Sequence, residues 1–288
     1  MLKERRQRRI PERLNHYTSV EALKSILSDN EGKGICFWAF SNKYKNDEQE
    51  IKMGEYVLKR IKTDCSIPED SILHRFGGYD NSASVSFMEG AVNQHMLDVY
   101  GHCRLEFDLR DLSVSPLTGG LIDCEYVAKD ELKAYADEYC ERIKSVYNSI
   151  PFSQKLFGIS SSFAFAFVVR FIMMECDVIA KVFAMKEEKW SEEKEWRRVV
   201  ELKDDSEILY FNGKPYVKSY LDKEKLKGIT IFCTYDTMAK AREDAVEIRK
   251  YILERGYNAK VNVRILVPLR KYIVCGKIIY MCQFGINF

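Results

Sequence analysis

A helical stretch from about Lys129 to Ala184 stands between two groups of strand-like segments, and that segregation limits the fold more than any other feature of the chain. Strands gathered apart from a run of helices indicate an α+β domain, not a doubly wound parallel sheet. Ahead of the helical stretch lie "ICFWAFS", "SASVSF", "HCRLEFDL" and "GLIDCEYV"; after it lie "EWRRVVEL", "GITIFCTY", "KVNVRILVPL" and "KYIVCGKIIYM". The chain enters this pattern through "LNHYTSVEALKSILSDN", a short strand running into a helix. Thr18 and Glu21 there have the spacing of a capping box, and Val20, Leu23, Ile26 and Leu27 share one helical face. Further helices are predicted from about Ile51 to Lys62 and over "DTMAKAREDAVEIRKYILERG", which stops at Gly256. The reading is a single α+β domain over residues 14–288 with a helical insertion at about 129–185, preceded by a basic arm over residues 1–13.

Bulk properties exclude several classes. The 288 residues are 46% apolar and 12% aromatic, enough for a sizeable core and too apolar for disorder. A net charge of +2 lacks the basic excess of a dedicated nucleic-acid binder; the one basic cluster is "KERRQRR" in the arm. Nine cysteines fall at 36, 65, 103, 124, 140, 176, 233, 275 and 282 without a C-x-x-C pair, which suits reduced thiols in a cytoplasmic protein and no structural zinc. No apolar signal-like segment opens the chain. The most apolar run, "FAFAFVVRFIMMECDVIAKVFAM", carries Arg170, Glu175, Asp177 and Lys181, so it reads as a buried helix and no membrane partner is expected. G-x-G-x-x-G and G-x-x-x-x-G-K-[ST] are both absent, which removes the Rossmann and P-loop ways of holding a nucleotide.

Four stretches carry the candidate chemistry: "LNHYTSVEALKSIL", "FWAFSNKYKNDEQE", "SVSF…VYGHCRLEFDL" and "KWSEEKEWRRVV". In that order they resemble the bacterial family catalogued as domain of unknown function 2971, over about Leu14 to Val200. The chain departs from the family pattern at Glu48, Met96 and His102. The layout is in turn similar to the ADP-ribosyltransferase superfamily: a histidine on the first strand, a hydroxyl-bearing central strand and a late glutamate. That resemblance implies split mixed or antiparallel sheets forming a cleft for NAD, here a substrate, with no metal. It assigns His16 to a ribose, Ser86 (or Ser84) to the central strand, and Glu195 to the nicotinamide ribose. A protein or nucleic-acid acceptor and a place in a bacterial defence or toxin system would follow.

The residues bear physical readings of their own. Cleaving the nicotinamide–ribose bond builds positive charge on the sugar, and its leaving group needs no general acid, so one ionised carboxylate suffices. Strand alternation sets Glu193, Glu195 and Arg197 on one side and Trp196 and Arg198 on the other; the bland alternative is a solvated strand entry. His16 is left over once Thr18 caps the helix, and a neutral imidazole suits a ribose diol; otherwise it is a packed structural histidine. Tyr17 reads as core, though beside His16 and Thr18 it is also a cofactor-lining candidate. Ser84 and Ser86 share a strand face and suit the nicotinamide amide. Tyr100 is placed at the start of a strand, either stacking on a flat ring or packing in the core. Asn46, Asp47 and Glu50 form a loop that either caps the next helix or closes over substrate. A non-catalytic nucleotide- or nucleic-acid-binding module, or a protein-interaction module, is the competing function.

Overall fold

A computed structural model describes residues 8–28, 32–44, 48–65, 82–90, 92, 94–112, 120–148, 172, 174–202, 207–266, 270–274 and 277–281. The fold is α+β with mixed, open β-structure. The sequence reads as one domain, while residue contacts group the chain into two compact units. Unit 1 is Met1–Ile10, Trp38–Ser86 and Arg110–Lys218; unit 2 is Pro11–Phe37, Phe87–Leu109 and Ser219–Phe288.

Unit 2 is built on β1 (Leu14–Thr18), which pairs antiparallel with β4 (Cys103–Phe107), His16 opposite Leu105. The far end of β3 (Ser82–Glu89) pairs with β1 on its other side. β4 is followed by β11 (Leu226–Cys233), and β11 by β12 (Lys260–Ile265) in parallel, Ile231 opposite Val263. The parallel pair requires a crossover, and the helix Met238–Glu254 supplies it. It buries Ala241, Ala245, Ile248 and Ile252, which recur at helical spacing. Its end follows from Gly256 at φ +73°: the Gly256 N–H reaches the Leu253 carbonyl and the Tyr257 N–H reaches that of Ile252, satisfying two orphan carbonyls. A hairpin of β13 (Arg270–Val274) and β14 (Lys277–Met281) also belongs to this unit.

The first helix, α1 (Val20–Ile26), corrects the capping assignment. Ser19, not Thr18, is the cap: its Oγ accepts from the Ala22 N–H at 3.1 Å, while Thr18 remains a buried strand residue. Tyr100 is also placed differently from expectation. It ends the helix α3 (Gln94–Tyr100) instead of opening a strand, and is 48% exposed. The single strand predicted over "GLIDCEYV" is two, β5 (Leu121–Asp123) and β6 (Glu125–Val127). They part at Cys124, whose N–H goes to the Glu195 carbonyl, while that of Glu125 goes to Ala184.

In unit 1, β2 (Ile35–Ser41) pairs with the first half of β3, Phe40 opposite Ser84. Beyond β2 come β10 (Lys214–Leu221) and β9 (Leu209–Phe211), a hairpin missing from the predicted strands. Its turn is Asn212-Gly213, with φ of 50° and 74°, the left-handed pair that a two-residue hairpin needs. β8 (Glu195–Glu201) pairs with β3 and β5, and β6 pairs in parallel with β7 (Met185–Glu187). The core of the unit lies between α2 (Glu48–Asp64), α4 (Leu132–Asn148) and these strands. Met53, Val57 and Ile61 from α2 meet Tyr135, Tyr139 and Ile143 from α4 and Ile179, Val182 and Phe183 from the helical residues 174–183. No helix among the described residues is long and apolar enough to cross a membrane. Most of "FAFAFVVRFIMM" lies outside the described residues.

Candidate active site

The entry to β8 is where charge is concentrated inside unit 1. Glu188–Glu193 form a 3-10 turn, and Lys194 then adopts φ 44°, ψ 51°, the left-handed conformation that few residues other than glycine take. That reversal brings Glu193 and Glu195 to one cation. Lys186 Nζ, from β7, donates to Glu195 Oε2 at 2.7 Å and also to Glu193 Oε2. Arg197, two residues along β8 and on the same side, donates from Nε to Glu195 Oε1 at 2.8 Å and from Nη2 to Oε2 at 3.0 Å. Its Nη1 is spent on the Phe183 carbonyl at 2.9 Å. The Tyr126 hydroxyl accepts the Glu195 N–H at 2.8 Å, and burial pushes that phenol above its ordinary pKa.

Two carboxylates and two cations thus form a buried, charge-balanced group. Glu195 is 2% exposed and Glu193 9%. A forked guanidinium plus an ammonium on one carboxylate is the arrangement that offsets the desolvation of such ions. Chemically, Glu195 is an immobilised anion with both oxygens engaged. Glu193 shares Lys186 and lies nearer the surface. Lys186 and Tyr126 were not legible as site residues: Lys186 directly follows the run read as a buried helix and "CEYV" reads as the end of an ordinary strand, and only the parallel pairing of β6 with β7, Tyr126 opposite Lys186, brings them here.

The hydroxyl strand has a specific partner. Ser84 Oγ donates to Asn42 Oδ1 at 2.7 Å, and Asn42 Nδ2 donates to Ser82 Oγ at 2.8 Å. A buried amide held between two serines explains why poor strand formers alternate along β3. Ser86 follows on the same side of the strand and is half-buried. Ser84, Ser86, Glu195 and Arg197 all belong to unit 1, on strands that pair with each other.

His16, Tyr17, Thr18 and Tyr100 belong to unit 2. The His16 ring meets Phe37 edge-on, centroids 4.9 Å apart, and lies 6.0 Å from Phe87. Phe107 completes this aromatic group, 5.7 Å from both phenylalanines. Tyr17 is core, packed with Met88, Met96, Leu97 and Phe232. Asn46 and Asp47 lie outside the described residues, and Glu50 is in the first turn of α2. Among the described residues no group of three His, Cys, Asp or Glu side chains is arranged to hold a metal ion. No family model, curated protein or solved structure matches the chain.

Proposed function

We propose that the chain is an NAD-consuming enzyme that releases nicotinamide and passes ADP-ribose to a macromolecular acceptor or to water. What supports this reading is the turn at Lys194, which sets two buried carboxylates on one lysine at the head of β8, a strand paired with the one that bears Ser84 and Ser86. In the reaction the C1′–N bond breaks, its electron pair leaves with nicotinamide and cancels that ring's charge, and an acceptor oxygen or nitrogen bonds C1′ while losing its proton. Fixed negative charge beside the sugar lowers the barrier to this cation-like state.

On this reading the reacting acid is Glu193 and not Glu195, where the motif resemblance puts it. Both Glu195 oxygens are engaged by Arg197 and Lys186, which makes Glu195 a positioning residue that anchors the lysine. Glu193 is then the carboxylate that meets the ribose, with Ser84 and Ser86 as hydroxyl partners. A second reading is favoured by the same engagement: four charges that cancel form a structural pin, and the chain is a non-catalytic binding module.

Nicotinamide release from NAD, followed chromatographically, separates the two. On the enzymatic reading Glu193→Gln lowers release about 100-fold in protein that is still folded, and destabilises less than the change at Glu195, because Lys186 keeps Glu195 as a counter-charge. Glu195→Gln instead costs about 3 kcal/mol of stability, because Arg197 and Lys186 keep their burial and lose a counter-charge. If the wild-type protein neither releases nicotinamide nor binds NAD in a calorimeter, the enzymatic reading falls and the module remains.

A further inference from the structure

One side of the unit 1 strands carries an exposed aromatic surface that the acid group does not involve. In β9 and β10 Phe211 stands opposite Lys214 and Leu209 opposite Tyr216, and directly opposed residues share a face. Lys214, Tyr216 and Lys218 alternate along β10 on that face, together with Phe211 and Leu209. Trp38 of β2 confirms the side: its ring stacks on Tyr216 at 4.7 Å and 23°, and lies 5.4 Å from Phe211. Phe40, two residues on, is 5.5 Å from Tyr216. Trp38 is 38% exposed and Phe211 48%, unusual for rings of this size in a unit with a large core of its own. Lys214 and Lys218 are exposed, and neither β9, β10 nor β2 places an acid on this face.

We infer that this face, the exposed Trp38 and Phe211 backed by the buried Tyr216 and flanked by Lys214 and Lys218, is a stacking platform for single-stranded nucleic acid. Every base offers a flat ring to stack on exposed indole and phenyl groups, and every phosphate an anion for the lysines. The two lysines are four residues apart along an extended strand, about 13 Å, which spans more than one nucleotide and favours a polymer over a mononucleotide. A second copy of the chain fits less well. In a two-fold contact the patch meets itself, and four lysines converge with no carboxylate from these strands to pair them. A peptide strand added to the outer edge of β9 would use backbone groups and leave the rings and lysines without a role. The inference uses none of the acid group and stands or falls independently of NAD cleavage.

The test is fluorescence anisotropy with labelled 12-nucleotide DNA and RNA single strands across a salt series, with duplex of the same sequence as competitor. The expected result is single-strand binding that duplex displaces poorly. Trp38→Ala and Phe211→Ala each weaken it about tenfold. The double change Lys214→Ala with Lys218→Ala lowers the slope of log affinity against log salt by about 1.4. Lys214 and Lys218 are exposed, so that variant keeps the fold and the measurement remains decisive if Trp38→Ala fails to fold. No binding by the wild-type protein overturns the inference, as does binding that these four changes leave alone. Binding abolished by Tyr210→Pro but indifferent to Trp38→Ala puts the contact on the backbone edge of β9 and not on the rings, and overturns the inference equally.

Discussion

Cys65 and Cys103 show how individual buried groups tie the stability of this protein to pH. Burial pushes the Cys65 thiol up to about 12, with its hydrogen bond and proximity to Cys140 adding to the effect. Burial alone takes Cys103, on β4, to about 12. A raised pKa means that the folded state holds its proton where the unfolded chain, titrating near 9, has lost it. The stability contributed is therefore complete below pH 9 and drains away as pH rises toward 12. Tyr135, forced upward by burial and by Tyr139 and Glu125, adds to the same trend at the alkaline end. Denaturant unfolding measured from pH 7 to pH 11 should show a midpoint that is steady to about pH 9 and falls beyond it. Cys103→Ala should shallow the decline, and an unchanged slope would remove Cys103 as its source. At pH 8 both thiols should resist a disulfide reagent until the chain is unfolded, since the thiolate is the reactive form.

At the scale of elements, the junction of β1 with the turn after α3 leaves no room for a side chain. Gly101 has φ +112°, and a Cβ there would come within 2.8 Å of the Thr18 carbonyl oxygen and 2.9 Å of Ser19 Cα. Both neighbours are backbone atoms and cannot rotate aside. Gly101→Ala should thus cost about 2 kcal/mol, combining overpacking with a disfavoured backbone angle. Gly213→Ala, equally left-handed but with open space around it, should cost less. Thermal melts of the two variants test the ordering. The same junction marks the limits of the sequence. β4, β8, β11 and β12 were legible because their apolar runs or alternation are long. The cap was misassigned by one residue because Thr18 and Ser19 both carry hydroxyls, and only strand pairing decides which belongs to β1. "LYFNGKPYV" carries the Asn-Gly signal of a hairpin, a readable feature that leads to the aromatic face. The partnership of Lys186 with Glu193 and Glu195 had no such signal, since it depends on β6 and β7 meeting side by side.

For the whole molecule, the chain's path matters more than its two-unit division. It passes between the units after Ile10, Phe37, Ser86, Leu109 and Lys218, and three of those passages lie inside unbroken strands: β2, β3 and β10. A strand that loses the hydrogen bonds of one half frays into the other, so neither unit can disorder without withdrawing strand length from its neighbour. The expected behaviour is one cooperative transition, not two. Tryptophan gives a clean test, because all three, Trp38, Trp190 and Trp196, belong to unit 1, whereas far-ultraviolet circular dichroism reports both units. Urea titrations followed by the two signals should coincide in midpoint and slope. A dichroism change that precedes the fluorescence change would mean that unit 2 unfolds alone, and that β2, β3 and β10 do not couple the units despite running through both.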